Sequence, residues 1–329
     1  MTSPALARTA ETADLVDFLA AAPDRAMFLD VCREIVDASD HLHLDTTALA
    51  PIARRIAGAQ PASWRWYLRA SEAELDHAAF DLVAMAAPNG GYFYTHTDGS
   101  VRQWEKNGSG AKALAAWTEG LRADGLMPGV DIHDPAAARQ ALAPHVDGLP
   151  FAEARLDIAA ELADPRRRRR LRQLLDATRD AEGRWRLTLE TADHLAGIYP
   201  AGFGEDPFRK KAILALIMLH GHLVHAGLPA RLDVPIPSDY QMPRILMYLG
   251  ALKPAPALIA SLKAGEMMRP EDSRVMALRA GAAVACARLA EMTGLPDGVV
   301  DGALFIPYRK DPDFLRNSLP AMRCETLWF

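Results

Sequence analysis

The chain has 329 residues, half of them hydrophobic and 24% charged, with a formal net charge of −5. That balance excludes a disordered or fibrous chain, and it argues against a dedicated duplex-DNA binder, which carries an evident basic excess. Three cysteines (Cys32, Cys286 and Cys324) stand far apart and form no CxxC pair, so a reduced, cytoplasmic protein is expected.

The first residues, MTSPALARTAETADLVDFL, contain acids and lack the continuous apolar segment of a secretory signal. Residues 9–22 and 25–38 carry Leu, Val and Ala at helical spacing on either side of Asp24, predicting two helices. Residues 28–58 read as helix, short extended link and helix, the second capped by Thr46 or Thr47 and ended by Gly58. Residues 72–87 predict another helix, closed by Pro88-Asn89-Gly90-Gly91. Residues 91–104 are the clear β candidate: Tyr92 and Tyr94 alternate with Phe93 and Thr95, a Thr-Asp-Gly-Ser turn follows, and 101–104 return as the partner strand.

Helical spacing resumes at 111–124 and ends near Gly125. The run Arg166–Arg170 is the densest positive charge. On a helix its arginines spread around the cylinder, with Leu171, Leu174 and Leu175 inward, while Asp164, Asp176, Asp180 and Glu182 offset the charge. A solvated helix face fits that pattern better than a nucleic-acid patch.

The stretch 199–250 organises the rest. A loop with Gly202, Gly204 and Pro207 leads into Arg209-Lys210-Lys211, which opens a helix ending at Gly227 and Pro229. Its apolar run, 212–219, is eight residues, and spanning a bilayer takes about 20, so no membrane association is expected. Pro235-Ile236-Pro237 stiffens the next turn, and Ser238-Asp239 carries the N-cap signal of a second helix. Helices so joined bring Lys210 or Lys211 towards Asp239. Two readings stay open here: a capped helical hairpin with a solvated basic patch, or a cation and carboxylate paired for chemistry. Glu205-Asp206 either assist Asp239 or cap a helix starting near Pro207.

Residues 271–291 predict a long helix with Val275, Leu278, Ala282, Ala285 and Leu289 on one face. No metal and no cofactor are expected. His220 lies on the far side of the helix from His222 and His225, no acidic ligand stands at a usual spacing, and HExxH is absent. Gly202-x-Gly204 lacks the third glycine of a dinucleotide fingerprint, and no GxSxG supports acyl transfer.

The segments FRKKAIL (208–214) and PIPSDYQMPRILMYLG (235–250) together resemble the queuosine salvage protein family of queuosine 5′-phosphate N-glycosidases/hydrolases. That family's central motif reads approximately Phe-Ala-Asp-Tyr-Arg-Val-Pro-Gln; the match here is Ser238-Asp239-Tyr240-Gln241-Met242-Pro243-Arg244. Its aromatic insertion, typically Asn-Phe-x-Phe-Trp followed by a lone Trp, is similar to Asn89, Tyr92, Phe93, Tyr94 and Trp104, without the first Trp. Arg279 falls on the arginine of its Glu-Ile-Arg-Ala-Ala motif. The ending RCETLWF is similar to its Arg-x-Arg-Thr-x-x-Tyr, with Arg323, Thr326 and Phe329 on those positions. The likeness extends from near Met27 to Phe329. A weaker one runs to archaeal helix-hairpin-helix DNA glycosylases, which also join a lysine-bearing helix to a Pro-x-Pro-x-Asp turn.

The expected fold is all-α: one compact domain over 1–329, of DNA-glycosylase-like character, with about a dozen helices and a small β-hairpin at 91–104. The resemblance implies hydrolysis of the N-glycosidic bond of a 7-deazaguanine nucleotide, queuosine 5′-phosphate, releasing queuine. It implies Asp239 as the catalytic carboxylate and Tyr92, Tyr94 and Tyr240 around the base. Lys210, Lys211 or Arg244 then holds the phosphate, and Asn89, Phe208, Arg279 and Arg323 complete the substrate-binding set. The partner is thus a small nucleotide, without duplex DNA. Two alternatives stand beside it: a DNA-repair glycosylase using Lys210 or Lys211 with Asp239, and a non-catalytic nucleoside-binding homologue.

Overall fold

The computed structural model describes residues 12–63, 75–105 and 110–329. The chain opens with α1 (Thr12–Ala21) and α2 (Arg25–Asp37), whose N-cap Asp24 accepts the Met27 N–H at 2.9 Å. The extended link holds a short strand, β1 (Leu42–Leu44), before a 3-10 turn at Thr46–Ala48 and helix α3 (Leu49–Ile56). The cap there is Asp45, which accepts both the N–H and the hydroxyl of Thr47, rather than either threonine. Helix α4 follows at Leu75–Ala86; the predicted helix starts at residues 9 and 72 lie outside the described residues.

The predicted hairpin is present as β2 (Phe93–Thr95) and β3 (Val101–Gln103), antiparallel with Tyr94 opposite Arg102. Helices α5 (Ala111–Ala123), α6 (Pro135–Val146), α7 (Ala152–Ala163) and α8 (Pro165–Ala177) come next. The arginine run lies in α8, with Leu171 and Leu175 buried. Arg168 donates to Gly129 O at 2.6 Å and covers the Phe80 ring, while Arg166, Arg169 and Arg170 face solvent. Beyond them run β4 (Trp185–Thr188), α9 (Leu189–Ile198), α10 (Pro200–Phe203), α11 (Lys210–His225), β5 (Ala230–Asp233) and α12 (Gln241–Tyr248). The last part comprises β6 (Leu252–Pro254), α13 (Pro256–Ala264), β7 (Met267–Met268), α14 (Ser273–Thr293), α15 (Asp297–Tyr308), α16 (Pro312–Asn317) and β8 (Arg323–Cys324).

The architecture is mostly helical with small β insertions. It holds sixteen α-helices among the described residues, more than the dozen expected, because short pieces such as α10 and α16 carry no periodic pattern. One hairpin was expected; among the described residues there are three further two-stranded pairs, β1 with β6, β4 with β5, and β7 with β8. Strands of two to four residues cannot show a period of two. No helix among the described residues is long and apolar enough to cross a membrane.

The core is built around α14. It is buried on all sides from Val275 to Ala287 rather than along one face. Small residues make that possible, since each neighbouring helix can approach its backbone closely. A Cβ at Gly281 would lie 2.6 Å from the Leu42 side chain, so β1 crosses directly over the helix at that point.

Candidate active site

The start of α11 is set by Asp206. Its carboxylate accepts the backbone N–H of Phe208 at 3.1 Å and of Lys210 at 2.9 Å, capping the helix. The helix therefore begins at Lys210, three residues beyond Pro207, and Arg209 takes a left-handed φ of 51° at its entrance. The same carboxylate receives Arg279 Nη1 and Nη2, each at 2.8 Å. Arg279 Nε donates to Ser238 O at 2.9 Å, and Ser238 Oγ returns a bond to Arg279 O at 2.8 Å. The guanidinium lies between the rings of Phe208 and Phe329, 4.2 Å from each centroid.

This clamp ties the entrance of α11, the turn before α12 and the middle of α14 into one unit. It corrects two expectations. Arg279 and Phe208, both fully buried, belong to the clamp: Nε, Nη1 and Nη2 each donate within it, and rings cover both faces of the guanidinium. Ser238 is bonded to α14 and caps nothing.

The cluster Arg209-Lys210-Lys211 does not act as one basic patch. Arg209, with its left-handed backbone, stands before the helix, and Lys210 and Lys211, as successive helical residues, point about 100° apart. Arg209 pairs with Asp193 and donates to the carbonyls of Leu19, Ala20 and Ala22. Lys211 Nζ donates to Ala87 O at 2.9 Å, and burial lowers its pKa to about 7. Neither is available to a ligand. Lys210 Nζ donates to Asn89 O at 3.0 Å and Asn89 Oδ1 at 2.9 Å. Burial lowers its pKa, and the nearby carboxylates of Asp239, Asp206 and Asp301 counter that.

Asp239 is the part of the turn that stays open to solvent, while Ser238 and Tyr240 beside it are buried. Its Oδ1 accepts the Gln241 N–H at 2.7 Å, so Asp239 and not Ser238 bonds the first turn of α12. Among the described residues that is the one hydrogen bond found for this carboxylate, which leaves Oδ2 for other work. Of the two lysines expected near it, Lys210 is the neighbour.

Asp301 joins this pair and was missed by sequence reasoning. It sits in α15, partly open to solvent but recessed, and desolvation with the adjacent Asp239 charge raises its pKa to about 8 against the opposing pull of Lys210. The sequence does carry a signal: Asp301 is the sole charge in residues 298–308, placed between Val300 and Leu304, both buried.

Asn89 is held from behind by a second unpredicted residue. Arg155 of α7, 1% exposed, donates to the carbonyls of Pro150, Pro88 and Gly90 at 2.9, 3.2 and 2.9 Å, and lies over the Trp104 ring. Loop 88–91 is thereby fixed so that Asn89 faces Lys210. Tyr92 adds its hydroxyl to Asn89 Oδ1 at 3.0 Å, and Tyr240 meets the rings of Tyr92 and Phe93 edge-on at 6.2 and 5.5 Å. Tyr94 is half-buried on β2. Trp104 is buried against Trp117 and has no free face for a base.

Of the two remaining expected cations, Arg244 lies near Tyr240 and Arg323 stands apart. Arg244 Nε donates to Ser318 Oγ at 3.0 Å and Leu319 O at 2.9 Å, over the Phe314 ring. Its terminal nitrogens make no hydrogen bond among the described residues. Arg323 stands on β8 with its guanidinium against Gly265 at the end of α13, away from Lys210. A cavity of about 30 Å³ beneath loop 88–91, lined by Ala84, Pro88, Trp117, Leu142 and Arg155, has the size of a solvent site and not of a nucleotide site. Among the described residues no three His, Cys, Asp or Glu side chains converge to hold a metal ion.

The site thus consists of two partly exposed carboxylates, Asp239 and Asp301, with a buried and anchored ammonium in their neighbourhood and buried aromatic rings at one side. Such a group can stabilise a developing positive charge and move protons in both directions. Comparison with protein-family models and with curated proteins finds no match to the chain.

Proposed function

We propose that the protein hydrolyses the N-glycosidic bond of a nucleotide, with a 7-deazaguanine nucleotide, queuosine 5′-phosphate, as the substrate that its motifs resemble. The observation that carries this is the nearness of the partly exposed Asp239 to the buried Lys210, with Asn89 anchoring the lysine and the Asp206–Arg279 clamp fixing the turn.

A deazapurine has lost a ring nitrogen that would otherwise accept a proton. The site must therefore stabilise the sugar cation and activate water. Asp239, ionised, offsets oxocarbenium charge at C1′ through the free edge of its carboxylate and takes a proton from the attacking water. Lys210 supplies a positive charge beside that carboxylate. Tyr92 and Tyr240, both buried, back the site, and Tyr94, half-buried on the hairpin, borders the place for a planar base. For the phosphate, Arg244 with its free terminal nitrogens is the better candidate, since Lys211 and Arg209 are spent on backbone carbonyls and Asp193.

Incubation with queuosine 5′-phosphate and chromatography for free queuine tests the proposal; intact nucleotide after prolonged incubation with folded protein would refute it and leave the non-catalytic nucleoside-binding alternative. One observation favours a second chemistry. Lys210 has a lowered pKa beside a carboxylate, which is what a lysine attacking C1′ requires. Its two bonds to Asn89 and its burial oppose that role. A borohydride-trapped adduct on damaged DNA would establish the second chemistry.

A further inference from the structure

We infer that the side-chain amide of Asn89 selects the nucleobase, donating to a 6-oxo group and rejecting a 6-amino group, an assignment that rests on the N-glycosidase reading above. Lys210 Nζ and the Tyr92 hydroxyl both approach Asn89 Oδ1, at 2.9 and 3.0 Å. An ammonium has no lone pair, so only the oxygen end of the amide can face it. That oxygen accepts two hydrogen bonds and both places are taken. The NH2 group is therefore turned the other way, and among the described residues it has no acceptor.

The backbone around the amide is held as firmly as the amide itself. Lys210 Nζ also binds Asn89 O at 3.0 Å, and Arg155 takes the carbonyls of Pro88 and Gly90 on either side. A Cβ at Gly90 would lie 2.3 Å from Leu327 O, and one at Gly91 2.8 Å from the Phe151 ring. The loop is thus seated directly on the C-terminal segment and on the residue before α7. From Ala86 to Phe93 only Asn89 is not buried, and from Val234 to Tyr240 only Asp239 is not. The rings of Tyr92 and Tyr240, 6.2 Å apart, join these two stretches. The open amide and the open carboxylate therefore border one ring pair.

A donor fixed in this way asks the ligand for an acceptor. A 7-deazaguanine keeps two on its ring edge, the carbonyl oxygen at position 6 and N3. N3 lies beside the sugar, where Asp239 acts. The carbonyl stands on the far edge of the base, clear of the sugar, and offers two lone pairs. A base with an amino group at that position would set N–H against N–H and leave both without a partner. A site built to hydrogen-bond its substrate discriminates strongly by this means.

The test is titration calorimetry with 7-deazainosine and 7-deazaadenosine 5′-monophosphates, which differ in the group at position 6 and the proton on N1. The wild type should bind the 6-oxo nucleotide about 5- to 150-fold more tightly, the range for a donor left facing a donor. In Asn89→Asp one carboxylate oxygen still receives Lys210 and Tyr92, while an acceptor replaces the NH2 group. Its preference should vanish or invert. Asn89→Ala, with neither donor nor acceptor, should lose the preference without inverting it. Equal affinities in the wild type, or binding of neither nucleotide, overturn the assignment without any variant. So does a wild-type preference that survives in either variant. Base release from queuosine 5′-phosphate is followed in parallel. Release with equal affinities removes only the role of Asn89; no release removes the N-glycosidase reading and this assignment with it.

Discussion

Asp206 and Arg279 meet through two parallel hydrogen bonds of 2.8 Å, with 2% and 0% of their side chains exposed. Breaking a buried pair from one side strands the other charge, at a cost of about 3–5 kcal/mol. Arg279→Met should therefore lower stability by that amount in chemical denaturation. Arg279→Lys should recover little of it, because an ammonium cannot reproduce two parallel bonds and a stack between two rings. Full recovery by lysine would mean that net charge alone matters at this position.

Asp239→Asn separates capping from catalysis. Asparagine is an acceptable cap, so the variant should keep the Gln241 contact and unfold at the wild-type midpoint. Its kcat for base release should fall by at least about 10²-fold, since charge at C1′ and the proton acceptor are lost together. A pure cap predicts the reverse: activity retained in Asp239→Asn, and about 1 kcal/mol of stability lost in Asp239→Ala.

The divergence of the basic cluster makes a prediction about the phosphate. Comparison of nucleoside with 5′-monophosphate measures its contribution to kcat/KM. Arg244→Ala should shrink the preference for the monophosphate by about 10- to 150-fold, corresponding to one charge-assisted contact of about 1.5–3 kcal/mol. Lys211→Met should leave the ratio of the two substrates unchanged, since its Nζ is bound to Ala87 O. An altered ratio in Lys211→Met would show that the cation reaches the substrate after all.

Lys211 also predicts a pH dependence of stability. Its folded pKa of about 7 lies below the unfolded lysine value, so folding favours the neutral amine. The stability it contributes is present above the unfolded pKa and is lost as pH falls towards the folded one. Between about pH 10 and 7 the wild type should therefore lose stability that Lys211→Met does not lose. Denaturation midpoints of the two proteins across that window should converge on acidification, after the variant's deficit for the unpaired Ala87 carbonyl at high pH. Parallel curves would contradict this.

The helical frame was readable because the long helices announce themselves by period and by punctuation, Asp24 between α1 and α2 and the glycines after α3 and α11. The hairpin was readable from its aromatic alternation and its turn. Long-range pairing was not. Arg279 looked like a ligand-binding arginine because nothing local indicates that its partner is Asp206, 73 residues earlier. Arg155 was hidden in the same way, its acceptors being backbone carbonyls of a loop 64 to 67 residues away. Asp301 is a different kind of miss, because a lone carboxylate within an apolar helix is a local signal that burial in the fold makes meaningful. The separate directions of Lys210 and Lys211 follow from helix geometry once the helix start is moved from Pro207 to Lys210, while that of Arg209 depends on a left-handed backbone that no local pattern indicates.

The clamp has a kinetic side. Closing it joins residues 73 apart, and a loop of that length costs roughly 4 kcal/mol in chain entropy before any bond is made. A contact so expensive to close is expected to form after the barrier to folding is crossed, once α11 and α14 are in place. Conservative changes at Arg279 should then leave the refolding limb of a chevron plot almost unmoved and steepen the loss through faster unfolding. This fully buried, bidentate link would act as a latch on the native state. It sets how long an assembled site lasts, and has little say in how quickly one forms.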